Sequence, residues 1–111
     1  MRDIRDRPKS SAARKYIGIL SERGATAEYA FEGTGVRWRG YKFNKSGKAE
    51  VSIDGKVVAT VDQYGPGRHL PFEWSQRGLK PGTHTIRVKV LGEKCADSKG
   101  VFINVAGFET F

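Results

Sequence analysis

The chain has 111 residues, of which 38% are hydrophobic and 29% charged, and a formal net charge of +8. That length bounds it to one core-forming domain, and the apolar share excludes a disordered polymer. No apolar run approaches the ~20 residues that a membrane-spanning helix needs. Cys95 is the only cysteine, which excludes an internal disulfide framework and a multi-cysteine metal site. Neither His69 nor His84 is placed by spacing to activate that thiol.

The charge is uneven. Residues 1–23 hold seven Lys/Arg against three Asp/Glu, so half of the excess lies before residue 24. A basic surface meets nucleic acid, an acidic polysaccharide or an anionic surface, or simply keeps a chain soluble. The first nine residues contain no apolar h-region, so no signal peptide is read there. Residues 1–15 mix charges with Ser and Pro without period and read as a flexible basic arm or linker. Tyr16 to Leu20 reads as a short edge strand or a segment over the core, with a helix turn across 8–20 as the alternative.

Regular alternation starts after Gly24. Ala27, Tyr29 and Phe31 alternate with Thr26, Glu28 and Ala30, and Gly33-Thr34-Gly35 is a tight turn. Val36, Trp38 and Gly40 alternate with Arg37 and Arg39, and Tyr41 to Ser46 reads as a longer loop. Ala49, Val51 and Ile53 then lead into Asp54-Gly55, two residues that tolerate the positive φ of a type I′ hairpin turn. Lys56 to Asp62 is the returning strand. Gln63 to Arg68 is a loop around Gly65-Pro66-Gly67. Leu70, Phe72 and Trp74 alternate, and Pro71 within that run predicts an edge strand. After the turn at 78–82, His84, Ile86, Val88 and Val90 form the cleanest amphipathic strand. A polar loop over 92–100 precedes Val101, Ile103 and Val105, with Gly107 read as a bulge and Phe108 and Phe111 in the last strand. The expectation is an all-β antiparallel β-sandwich (jelly roll) of seven or eight strands, with residues 16–111 as a single module.

Antiparallel strands reverse direction, so connections alternate between the two ends of a sandwich. The tight ones at 33–35, 54–55 and 78–82 fall at one end. The longer ones at 41–47, 63–68 and 92–100 fall at the other, where binding residues usually sit on a rigid scaffold. The candidate ligand-binding residues are Tyr41, Phe43, Asn44, Tyr64, Arg68, His69 and Asp97. Aromatic rings suit the apolar C–H face of a pyranose, and planar polar groups suit its hydroxyls. The alternative for each aromatic is a plug folded over the end of the core.

Catalysis lacks its parts. There is no phosphate-binding glycine loop, no nucleophile elbow, and no carboxylate pair read as facing across a cleft. Asp54 belongs to the turn, Asp62 and Asp97 read as loop caps, and His84 reads as a buried structural histidine. If the strands carrying Arg37/Arg39 and Arg87/Lys89 are neighbours, their outer faces make a basic stripe, the basis of an electrostatic nucleic-acid reading. Trp38 points inward, so no stacking platform accompanies it.

The blocks Gly33-Thr34-Gly35, Gly47 to Lys56, Ala59 to Tyr64, Pro81-Gly82-Thr83-His84-Thr85 and Val105 to Glu109 resemble the galactose-binding-domain-like jelly rolls. These recur as carbohydrate-binding modules in large secreted bacterial glycoside hydrolases and surface proteins. The resemblance spans about residues 24–111 and rests on turns and core. It implies a non-catalytic accessory module, a polysaccharide or glycan partner, and an extracellular or cell-surface home within a multidomain parent. Related modules often carry an aspartate near the positions of Asn104 to Gly107 and a structural calcium. This chain has no acidic residue there and no acidic cluster, so no metal or cofactor is expected. With Lys42 and Lys45 in the 41–46 loop, the expected glycan bears acidic groups. The alternative is a structural or protein-interaction β-domain, and an edge left open near residues 16–20 would allow pairing between chains.

Overall fold

The computed structural model describes residues 18–67 and 69–111. The expected arm over 1–15, the start of the first apolar run and Arg68 lie outside the described residues. Nine strands follow in order: β1 (Gly18–Leu20), β2 (Thr26–Gly33), β3 (Val36–Lys42), β4 (Lys48–Ile53), β5 (Lys56–Asp62), β6 (Leu70–Gln76), β7 (Gly82–Val90), β8 (Ile103–Val105) and β9 (Gly107–Thr110). Among the described residues no helix is long and apolar enough to cross a membrane.

The hairpin at Asp54-Gly55 forms as its residues dictate. Asp54 has φ 53° and Gly55 φ 83°, the two positive values of a type I′ turn. β4 and β5 run back from it in register, with a bulge at Val51/Ser52 that leaves Val58 as the extra residue. β7 pairs β4 on one side and β2 on the other, which makes a four-stranded sheet in the order β2-β7-β4-β5. The facing sheet has the order β6-β3-β9, and β1 pairs with β8. All the ladders are antiparallel. The chain crosses between the two main sheets at β2–β3, β3–β4, β5–β6 and β6–β7, so consecutive alternating strands bury one face each in a shared core.

That core holds Phe31, Trp38, Ile86, Val88, Ile103 and Phe108 out of solvent. Tyr29 stacks on Phe108 at 5.4 Å between ring centroids, and Trp38 meets Phe72 edge-on at 4.8 Å. The Trp38 indole N–H reaches the Asn104 carbonyl at 3.2 Å, which satisfies the one polar atom the ring carries inside. In β7 the alternation is as expected: Ile86, Val88 and Val90 are buried, while Arg87 and Lys89 face solvent.

Two expectations need correction. Leu70 was expected inside but is 41% exposed. It pairs with Lys42 at the far end of β3, beyond the core, on a strand that Pro71 marks as an edge. The final apolar run was expected as one strand. It divides at Ala106, whose N–H bonds the Arg39 carbonyl at 2.8 Å, so that β8 pairs β1 and β9 pairs β3. Gly107 therefore opens a new strand in another sheet rather than a bulge. All three residues of β8 are buried. The described part of the 16–20 run is a short strand, the first of the two readings, and it closes on β8 through Gly18↔Val105 and Leu20↔Ile103, so that edge is not left open. The larger sheet instead ends at β2 and at β5, and β5 exposes Val57 and Val58.

Candidate functional site

The tight turns gather at one end of the sandwich. Leu79 N–H donates to Thr34 O at 2.9 Å, and Thr34 N–H donates to Phe111 O at 2.9 Å. His84 ties the hairpin to the 78–82 turn: its Nδ1 lies 2.6 Å from Asp54 Oδ2 and its Nε2 2.6 Å from Lys80 O. Both ring nitrogens face acceptors, so only the doubly protonated imidazolium satisfies both. The hydrogen bond with Asp54, followed by that to the Lys80 carbonyl, pushes the His84 pKa up. The same His84 bond holds the Asp54 carboxyl below its ordinary value. With 12% of its side chain exposed and its ring tilted against Phe31, His84 is structural, as its alternation predicted.

The long connections meet at the opposite end and are stitched together by backbone. Phe43 forms a parallel bridge with Tyr64, and Ser46 one with Phe102. Gly65 N–H donates to Phe43 O at 3.1 Å, Lys99 N–H to Asn44 O at 2.8 Å and Lys48 N–H to Glu93 O at 2.8 Å. The buried Ser98 hydroxyl sits 2.6 Å from Ser46 O and accepts the Gly100 N–H at 3.2 Å. Asp62 caps its loop as expected, accepting the Tyr64 N–H at 3.0 Å.

Beneath this end lies a buried amide that the sequence gives no reason to place there. Gln63 has no solvent exposure. Its Nε2 donates to Asn104 O at 2.9 Å, and its Oε1 accepts the Asn104 N–H at 2.8 Å. The side chain thus pairs with β8 as a neighbouring strand would. The Asn104 side chain in turn accepts the Tyr41 N–H at 3.1 Å, at the point where β3 outruns its partner β9. A side chain at position 40 would collide with this pair, which fixes glycine there.

Tyr41 was expected in a loop; it stands on β3 and is 43% exposed. His69 is exposed and makes contact with two of the predicted aromatics. It stacks on Phe43 at 4.8 Å with 23° between planes, and it meets Tyr41 edge-on at 6.2 Å. Tyr64 is tied to Phe43 by their backbone bridge and is half-buried. Asn44 enters the network through its carbonyl, on the flank formed by the loop that carries exposed Asp97. Of the predicted residues, Tyr41, Phe43 and His69 form an aromatic group, Tyr64 lies beside it on the bridge to Phe43, and Asn44 and Asp97 lie on a polar flank. Among the described residues no three His, Cys, Asp or Glu side chains group as metal ligands.

The basic stripe does not form. Arg37 and Arg39 lie on β3, Arg87 and Lys89 on β7, in different sheets. Arg87 pairs with Glu28 at 2.7 Å. Arg37 Nη1 donates to Glu109 Oε1 at 2.8 Å, Arg39 Nη1 reaches the same oxygen at 3.3 Å, and Arg39 Nη2 lies 3.4 Å from Glu73 Oε2. Partial burial opposes ionisation of Glu109, but the bonds and charges of Arg37 and Arg39 prevail and hold its carboxyl below the ordinary value.

Arg39, Glu73 and Glu109 line a groove of about 440 Å³ on the outer face of the β6-β3-β9 sheet, which reaches the aromatic group at Tyr41. Arg39, Glu73 and Glu109 form its polar side, Tyr41 and Pro71 an apolar side, and Gly107 part of its floor. The sequence reading missed it. Alternation places Arg39 and Glu73 outward but does not say that β3 lies between β6 and β9.

No family model matches the chain. It is 40% identical over 68 residues to an A type blood N-acetyl-alpha-D-galactosamine deacetylase of Flavonifractor plautii, which covers 61% of this chain and 9% of that protein. It is 37% identical over 67 residues to an A type blood alpha-D-galactosamine galactosaminidase of the same organism, covering 60% of this chain and 6% of that protein. The chain therefore spans under a tenth of the length of these curated relatives. Among solved structures, the CBM36-1 domain of a multidomain xylanase from the hindgut metagenome of Trinervitermes trinervoides superposes with a TM-score of 0.56 at 19% identity, over 91% of this chain and 86% of that one. The chain has an all-β sandwich fold similar to that CBM36-1 domain and resembles short segments of the two Flavonifractor plautii proteins.

Proposed function

We propose that this domain is a non-catalytic module that binds a glycan through the end of the sandwich built by 41–47, 63–69 and 91–102. Tyr41, Phe43 and Tyr64 supply stacking surface, and Asn44, Arg68, His69 and Asp97 supply hydrogen bonds to hydroxyls. The observation that carries this reading is the group in which His69 stacks on Phe43 and meets exposed Tyr41. Aromatic rings held at a rigid rim are an expensive use of apolar surface unless something covers them. The fold shared with a carbohydrate-binding module and the likeness to short segments of two large enzymes favour an accessory part of a longer, extracellular protein.

The test is a glycan array read at low and at moderate salt, with a Tyr64→Ala variant alongside. The reading expects a defined set of glycans whose signal falls at least tenfold in the variant. Silence on every glycan at both salts would sink it and turn the search to protein partners.

A further inference from the structure

We infer that the groove on the β6-β3-β9 face is a subsite for an uncharged sugar residue, continuous with the aromatic rim at Tyr41. This rests on the glycan reading above and adds a second place of contact and a ligand class.

The groove has the size of a small-ligand cleft, about 440 Å³. Its polar side is built by cross-strand neighbours: Arg39 faces Glu73 on β6 and Gly107 on β9, while Arg37 faces Glu109. Gly107 brings no side chain to the row that Arg39 and Glu73 occupy, which leaves the hollow open. Tyr41 stands opposite Pro71 in the next row, so the apolar side leads directly toward His69 and Phe43.

The charges decide the ligand. Two guanidiniums meet two carboxylates, so the lattice is neutral. A carboxylated or sulfated sugar would have to displace Glu73 or Glu109 from the arginines while facing the repulsion of both. A neutral sugar needs no such exchange. Glu73 lies 3.4 Å and 3.7 Å from its arginine partners, longer than a good hydrogen bond, and its side chain is half exposed. It keeps lone pairs for hydroxyl donors. Arg39, with 42% of its side chain exposed, keeps N–H groups for hydroxyl acceptors. Paired donors and acceptors beside a tyrosine ring match vicinal hydroxyls above an apolar C–H face. The acidic glycan expected from the basic 41–46 loop is not what this face selects.

The experiment is an array of neutral and uronic-acid-bearing oligosaccharides at low and high salt, with Glu73→Gln and Ala106→Phe variants. Glu73 is exposed on an edge strand, so Glu73→Gln keeps the fold even if the larger Ala106 substitution does not. Thermal melts establish which variants are folded. The inference expects neutral glycans among the hits, signals that survive high salt, and at least a tenfold loss in each folded groove variant. Hits that fall in Tyr64→Ala but are unchanged in Glu73→Gln would overturn the groove and leave the glycan reading standing. Hits confined to acidic glycans and erased by salt would overturn the ligand class. No hits at all would overturn both.

Discussion

Replacing Gln63 by leucine preserves most of the side-chain volume and deletes its hydrogen bonds. Two bonds to the Asn104 backbone disappear, at 2.8 Å and 2.9 Å in the native protein. The Asn104 carbonyl keeps the Trp38 indole as a donor. Its N–H is stranded in a site with no exposure at Gln63. Losing a hydrogen bond costs about 1 kcal/mol and stranding a buried donor about 1–3 kcal/mol, so the expected loss is about 3 kcal/mol. For a domain of this size that lowers the melting temperature by roughly 15 °C. Urea unfolding followed by tryptophan fluorescence reads the loss directly, with the slope m expected to hold. A loss under ~1 kcal/mol would refute the view that the Gln63 amide serves as the second neighbour of β8. Because Asn104 also fixes the Tyr41 backbone, the same variant should weaken glycan binding at temperatures where it remains folded.

Other consequences concern single groups. The buried Tyr29 hydroxyl has no hydrogen-bond partner among the described residues, and burial raises its pKa. Tyr29→Phe should therefore stabilise the domain by about 1 kcal/mol in denaturant unfolding, and a clear destabilisation would contradict the packing described. Gly40→Ala would place a methyl 2.9 Å from Gln63 Nε2 and closer still to the Asn104 carbonyl oxygen. It should cost about 1–3 kcal/mol, and an unchanged urea midpoint would show that β3 yields more easily than this. The His84–Asp54 pair sets a pH window. His84 is raised from 6.5 in the folded state, so its contribution is whole below that value and lost as pH rises through the folded pKa. Asp54 is lowered from 3.8, so its contribution is present above that value and lost as pH falls through its folded pKa. The urea midpoint of the native chain should be lower at about pH 9 than at about pH 5, and this difference should be smaller for His84→Leu; equal differences would contradict the doubly bonded imidazolium.

Much of the scaffold was legible because it is local. Asp54-Gly55 carries its own turn geometry, the alternation of β7 declares its buried face, and strand reversal sorts the loops to the two ends. The backbone bonds joining 43–47, 63–65 and 91–102 bear out that sorting. What escaped depends on neighbours distant in sequence. Arg39, Glu73 and Glu109 each look like ordinary outward charges, and only the order β6-β3-β9 makes them one lattice. Gln63 reads as a loop residue until β8 is found beside it. The division of the last run at Ala106 follows from which sheet each half joins, which alternation alone does not encode. Leu70 keeps the parity of its strand but runs past the end of the core.

Amide chemical-shift mapping tests the central claim most directly. The ¹⁵N-labelled domain is titrated with the strongest glycan from the array. The account predicts shifts concentrated at Tyr41 to Asn44, Tyr64 and His69, spreading into Glu73 and Gly107 of the groove and leaving the Asp54-Gly55 turn and the 78–82 turn unmoved. Shifts centred on those two turns, or none with any oligosaccharide, would contradict a glycan site at this end of the sandwich.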